Sequence, residues 1–278
     1  MARTRCEGLI KVHRQEGLEV VALQGLDIEA LPGEVTALVG PSGSGKTSLL
    51  MVLAAQDEPT AGRAWVAGVA LHDANESDRR FLRRSLVSLV FQDPSRNLLP
   101  RMTPLANVAL PIALAGGSRK AARARAAMLL DQVGMADRAG ESIEHLSGGE
   151  QQRVAVAVAL ASDPPVLLAD EPTAELDAAN AEHVVELLQA AASEGRTVLV
   201  TTHDETVAER AHRVIHMRDG RVESSTVFGE EQMLAVDSRG RVQLPAELRE
   251  AAGIIDKARA HVVDGGILLS PPEGGTEQ

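Results

Sequence analysis

The sequence predicts an α/β fold built on a mostly parallel central sheet, and three observations predict it. A glycine-rich loop, Gly40-Pro41-Ser42-Gly43-Ser44-Gly45-Lys46-Thr47, follows the apolar run Val35–Val39 and precedes a helix-like run, Ser48–Ala55. A second apolar run, Val166–Ala169, is unbroken and ends in Asp170-Glu171, as expected of a central parallel strand covered on both faces. Around them, short apolar runs alternate with segments of helical period, the order that builds a parallel sheet.

Taken in order, residues 1–34 hold short alternating segments, Leu18–Leu23 and Leu26–Ile28 among them, broken at Pro32-Gly33. They read as antiparallel strands leading into Val35–Val39. Arg63–Val69 is a further short strand, and Asn75–Arg84 a polar helix capped by Asn75 or Ser77. Leu86–Phe91 is a buried strand ending at Gln92. From about Thr103 to Gly140 the chain turns Ala- and Leu-rich with helical spacing, so residues of about 95–160 form a helical subdomain. The basic cluster Arg119, Lys120, Arg123 and Arg125 reads as a solvated helix face. Ser147-Gly148-Gly149 opens a long helix that Pro164-Pro165 stops. A helix Ala178–Glu194, a strand Thr197–Thr201, a helix near Glu205–Ala211 and a strand Arg213–Met217 complete the alternation.

Composition bounds the reading. Hydrophobic residues make up 44% of the 278 but aromatics only 1%, so core volume must come from Leu, Val, Ile, Ala and Met. A net charge of −11 argues against a chain-wide nucleic-acid surface. A single cysteine, Cys6, rules out an internal disulfide and fits a reducing compartment. Neither a secretion leader nor an apolar stretch long enough to span a bilayer is read in the chain, so a soluble cytoplasmic protein is expected.

The loop carries the chemistry. Its glycines let successive backbone N–H groups turn inward as an anion nest, and the following helix adds its positive end. In this strand–loop–helix context, Lys46 is expected at the β- and γ-phosphates of a nucleoside triphosphate and the Thr47 hydroxyl at Mg2+. Ligands of parallel sheets lie beyond the carboxyl ends of the strands, and Lys46, Gln92, Asp170, Glu171 and His203 all fall at such ends. Asp170 is positioned to hold Mg2+, and Glu171 to orient or deprotonate an attacking water. Ser147-Gly148-Gly149 offers a hydroxyl and bare N–H groups at a helix start, a second anion site. One chain does not need two γ-phosphate sites, so this one serves a second molecule.

Over residues 5–226 these motifs resemble an ABC transporter ATP-binding subunit. Gly40–Thr47, with Ser48 beside it, resembles the Walker A loop, Val166–Asp170 the Walker B strand, and Leu146–Glu150 the signature motif. The resemblance implies that Glu171 is the catalytic glutamate and Gln92 the Q-loop glutamine that contacts Mg2+. It likewise makes His203 the switch histidine and Asp177 the D-loop aspartate. It implies a P-loop NTPase cassette with an antiparallel β subdomain and an α-helical subdomain. It also implies a head-to-tail dimer, of two copies or of one copy and a paralogue. Each ATP then lies between one Walker A loop and the other subunit's Ser147, Gly148, Gly149 and Glu150. A separate membrane permease is driven, with the cassette peripheral on the inner face of the cell membrane.

Three departures stand out. His13 holds the position of the usual adenine-stacking aromatic, and the chain has no Tyr. Val158 stands where an Arg is common in the signature helix, and Ala174-Glu175 replace a commoner Gly-Ala pair. Asn97-Leu98-Leu99-Pro100, Met102-Thr103-Pro104 and Asn107-Val108 resemble the branch of lipoprotein-releasing, macrolide-exporting and cell-division ATPases.

Residues 228–278 exceed a minimal cassette. Val236–Pro245 reads as strand, turn and strand, Ala246–Ala252 as a short helix stopped by Gly253, and Ala260–Leu269 as a hairpin turning at Gly265-Gly266. This order resembles an AbrB-like swapped-hairpin domain, which implies an interleaved dimer. The stretch holds nine acids against five Lys or Arg, a net of −4, a poor footprint for DNA. It is therefore expected to hold two cassettes together, with no DNA as partner. The competing reading is a nucleotide-gated, DNA-binding regulator. Gly274–Gln278 is expected to be disordered.

Overall fold

Thr4–Gln15 (β1) and Leu18–Ala30 (β2) pair antiparallel from Thr4↔Ala30 to Gln15↔Leu18. The structure, a computed structural model, describes residues 3–15, 18–174 and 176–227, and beyond them 233–234, 242, 244, 249, 252–254, 257–263 and 266–271. The expected strands in Val236–Pro245, the helix Ala246–Ala252, Glu175 and Gly274–Gln278 fall wholly or mostly outside these. β2 is one strand, not the two segments expected, because Gly25 adopts φ 75° and the pairing slips between Leu9 and Ile10 rather than breaking.

Val35–Val39 (β3) leads through the glycine-rich loop into Lys46–Leu53 (α1), two residues earlier than the sequence implied. The expected strand Arg63–Val69 is instead a hairpin, Ala61–Val66 (β4) and Val69–Ala70 (β5). Ala67 and Gly68 both have positive φ, the two-residue turn whose twist suits a tight hairpin. Glu76–Ser85 (α2) starts at Asn75, whose side chain accepts from the Ser77 and Asp78 N–H groups while Asp78 accepts from the Asn75 N–H. Asn75→Ala should therefore cost about 1 kcal/mol, read as a lowered melting temperature with nucleotide binding unchanged.

Val87–Val90 (β6) is followed by Pro104–Leu114 (α3) and Arg119–Gln132 (α4), the expected helical stretch divided at Gly116-Gly117. Gly148–Leu160 (α5), Val166–Asp170 (β7), Ala178–Ser193 (α6), Thr197–Thr202 (β8), Glu205–Glu209 (α7) and Arg213–Arg218 (β9) then alternate as expected. Arg221–Val227 (β10), Met233–Leu234 (β11), Arg259–Val263 (β12) and Gly266–Ser270 (β13) are the remaining described strands.

The central sheet runs β11-β10-β9-β3-β8-β7-β6. Its β9, β3, β8, β7 and β6 are mutually parallel, while β10 and β11 add an antiparallel edge. A second, antiparallel sheet runs β2-β1-β4-β5. Two cores form on opposite faces of the central sheet, and alternation assigns each residue. Leu167, Ala169, Val198 and Val200 pack with α4, α5 and α6. Val166, Leu168, Leu199 and Met217 pack with α1, α2 and the antiparallel sheet. A one-residue slip would exchange the two sets. Because the parallel strands share one direction, their carboxyl ends lie along one edge, where the polar residues gather. Among the described residues no helix is long and apolar enough to cross a membrane.

Candidate functional site

The glycine-rich loop is shaped by its neighbours. A Cβ on Gly40 would lie 2.1 Å from the Met217 carbonyl oxygen, and one on Gly45 2.4 Å from that of Ala22. β9 and β2 thus press on the loop so closely that no side chain fits. Gly45, at φ 98°, turns the chain into α1, and among the described residues no side chain caps the first N–H groups of that helix. Lys46 is buried at 6% exposure, and its Nζ donates to the Gly40 and Pro41 carbonyls at 2.6 and 3.1 Å. The ammonium thus lies folded over the backbone of the loop.

Alternation explains the carboxylates. Asp170 continues the set Val166 and Leu168, so it faces α1, and its Oδ1 accepts from the Thr47 hydroxyl at 3.2 Å. The Thr201 hydroxyl, from β8, donates to the same oxygen at 2.6 Å. Glu171 leaves the strand at φ 44°, a conformation that costs a non-glycine residue about 1–2 kcal/mol. Its N–H is held by the Thr201 hydroxyl and carbonyl at 2.9 and 3.1 Å, which offsets that cost. Glu171 Oε2 lies 3.1 Å from His203 Nδ1. A continuous chain therefore links Thr47, Asp170, Thr201, Glu171 and His203. Sequence reasoning missed Thr201, one of three threonines in β8, and only its buried place beside Asp170 sets it apart.

Gln92 is exposed just past β6 and lines a narrow cleft with Gly148, Gln152, Glu171, Pro172, Ala174 and Leu176. His13 stands on β1 with its Nε2 3.0 Å from the Ser48 hydroxyl and its Nδ1 4.0 Å from Asp57. An imidazole thus lies directly beside the first turn after the loop.

Ser147 caps α5. Its hydroxyl accepts from the Glu150 N–H at 3.3 Å, and Glu150 accepts from the Ser147 N–H at 2.8 Å. That backbone N–H, with the Ser147 hydroxyl, holds the Glu150 carboxyl below its ordinary range. Ser147 and Gly148 are nonetheless exposed, and among the described residues no hydrogen bond joins them to the glycine-rich loop. Asp177 caps α6 in the same way, its Oδ1 accepting from the Asn180 N–H at 2.9 Å; this bond lowers its affinity for a proton. Gly149 lies against α6, where an added Cβ would touch Leu176 and Asn180 at 3.4 and 3.5 Å. The serine–glycine cap and Asp177 thus form one surface facing outward.

The sequence pattern of ABC transporters matches residues 23–174. The chain belongs to the ABC transporter family. It is 43% identical over 209 residues to the lipoprotein-releasing system ATP-binding protein LolD 1 of Rhodospirillum rubrum, a match covering 74% of this chain and 92% of that one. It is 44% identical over 201 residues to the macrolide export ATP-binding/permease protein MacB of Rhodopseudomonas palustris, covering 72% of this chain but only 30% of that longer protein. Its fold matches a dimeric ATP-binding cassette in a post-hydrolysis state bound to ADP and Pi, with a TM-score of 0.77 and 33% identity. That match covers 82% of this chain and all of the other. The cassette is of the branch to which both named relatives belong, as the stretch from Asn97 to Val108 implied.

Proposed function

We propose that the chain is the ATP-hydrolysing motor subunit of a membrane transporter or force-transmitting complex, working as a head-to-tail pair. The observation that carries this reading is the hydrogen-bonded chain from Thr47 through Asp170, Thr201 and Glu171 to His203, set beside the glycine-rich loop.

In this reading the loop N–H groups, from Gly40 to Thr47, and Lys46 hold the phosphates of ATP, and Ser48 and His13 adjoin the nucleoside. Thr47, Asp170 and Gln92 offer only oxygen donors, two of them already converging on one point, which suits a small hard cation. Mg2+ bound there supplies charge neutralisation on the β- and γ-phosphates. Glu171 accepts a proton from the attacking water, and its twisted backbone fixes the carboxylate. His203 orients Glu171 and reaches the γ-phosphate. The partner's Ser147–Glu150 surface and Asp177 close the site, so hydrolysis opens the pair and a permease turns that motion into transport. The name of the MacB relative, an ATP-binding/permease protein, supports a permease as partner, and a place on the inner membrane face follows from such a partner.

The cassette occupies residues 1–227, and residues 228–278 form an AbrB-like dimerisation module. The hairpin of β12 and β13 supports this: Ile267 is 74% and Leu268 56% exposed, and an isolated two-stranded hairpin is marginal in water.

Ser147→Arg tests the pairing. Because Ser147 serves the other subunit's nucleotide, this variant should bind ATP almost as the parent does yet lose hydrolysis, whereas Lys46→Ala should lose both. Filter binding with phosphate-release assays reads both quantities. Hydrolysis at the parent's rate by Ser147→Arg would remove the composite site.

A further inference from the structure

Gln152 lies in the first turns of α5, three residues beyond Gly149, and is 3% exposed. Its Nε2 donates 3.2 Å to the carbonyl oxygen of Phe91, the residue immediately before Gln92. That bond fixes the orientation of the carboxamide, since only the nitrogen can face a carbonyl. Among the described residues the other end of the group, Oε1, is buried and has no hydrogen-bond partner. An unpaired buried acceptor is costly, and native structures seldom keep one without a use.

The surroundings narrow that use. Gln152 lines the cleft shared by Gln92, Gly148, Glu171, Pro172, Ala174 and Leu176. Its volume is about 10 Å3, at the lower limit for a single water. Glu171, as a carboxylate, can only accept, and Pro172, Ala174, Leu176 and Pro94, which also lines the cleft, bring no side-chain donor. Among the described residues lining the cleft, Gln92 supplies the one side-chain donor that could meet Oε1.

We propose that Gln152 is a positioning residue, joining the serine–glycine cap of α5 to Gln92 of the same chain through its bond to Phe91 O and an Oε1 reserved for the Gln92 carboxamide. The inference rests on the reading of Gln92 and of Ser147–Gly149 given above. The cap serves the partner's nucleotide and Gln92 the chain's own. One rigid carboxamide therefore makes the placement of the cap depend on whether the chain's own site holds Gln92 in its working position. Two sites that share no residue are coupled through a single buried group.

Full-length Gln152→Met preserves the length of the side chain while removing both bonds, and Gln152→Glu keeps the acceptor while losing the donor to Phe91. Both are compared with Gln92→Ala and with the double variant Gln92→Ala/Gln152→Met. Of the two bonds lost, the one to Gln92 bears on turnover, and loss of that single uncharged hydrogen bond should lower kcat of Gln152→Met about tenfold, with KM for ATP within about twofold. The double variant should fall no further than Gln92→Ala alone, the mark of two residues acting as a unit. Multiplied effects, or a change confined to melting temperature, would overturn the coupling and leave Gln152 a packing residue. If ATP hydrolysis were already insensitive to Glu171→Gln, the underlying reading would fail instead, and the two failures are told apart by that control.

Discussion

Glu171→Gln should lower steady-state ATP hydrolysis by roughly 10²–10⁴-fold while leaving ATP bound. The substitution is isosteric and changes little else. The backbone of residue 171 remains held by the Thr201 hydroxyl and carbonyl, and His203 Nδ1 keeps an oxygen or amide within reach. Asp170, Thr47 and Thr201 are untouched. What disappears is a group able to take the proton of the attacking water. Binding that depends on the anion nest and Lys46 should persist, so ATP should stay with the protein through gel filtration instead of emerging as ADP. His203→Ala provides the contrast, removing an orienting contact but not the base, and should lose less activity than Glu171→Gln. Phosphate release measured for both variants decides the matter: parent-like turnover by Glu171→Gln would move the base elsewhere.

Much of this was legible in the sequence because the physical constraints are local. Val166–Asp170 could only be a strand buried on both faces, and strand alternation then forces Asp170 toward α1 and Thr47. Asn75 and Ser147 announce helix starts through the acid three residues on. The features that were not legible arise from pairing between distant segments. β2 absorbs Gly25 as a slip because β1 lies along its whole length. Arg63–Val69 folds back because Ala67 tolerates positive φ beside Gly68. Thr201 reads as an ordinary β-branched strand residue until β7 is placed next to β8. Gln152 is hidden within a signature helix, and only burial and its unpaired oxygen distinguish it. The switch role of His203 and the adenine-side role of His13 came from family resemblance; the structure adds their neighbours, Glu171 and Ser48.

Gly40→Ala should destabilise the fold by about 3 kcal/mol or more and abolish nucleotide binding, and the comparison with Gly43→Ala shows why. At Gly43 the φ of 82° is unfavourable for alanine, but an added Cβ would meet nothing within 4 Å among the described residues; the cost is the conformational one, about 1–2 kcal/mol. At Gly40 the added carbon would lie 2.1 Å from the Met217 carbonyl oxygen and 2.9 Å from the Ser44 hydroxyl. Met217 belongs to β9, whose pairing with β3 runs to Val39↔His216. The oxygen therefore cannot retreat unless β9 moves away from the strand that delivers the loop. The alternative, movement of the loop itself, breaks the bond from Lys46 Nζ to the Gly40 carbonyl and tilts the nest away from Thr47 and Asp170. Either response couples stability to phosphate binding. Thermal unfolding and ATP binding measured side by side should thus fall together in Gly40→Ala, while Gly43→Ala loses a smaller share of stability and keeps its loop in place. Equal melting temperatures for the two variants would mean that β9 yields freely, and that the close approach of Met217 to the phosphate loop does not shape the site.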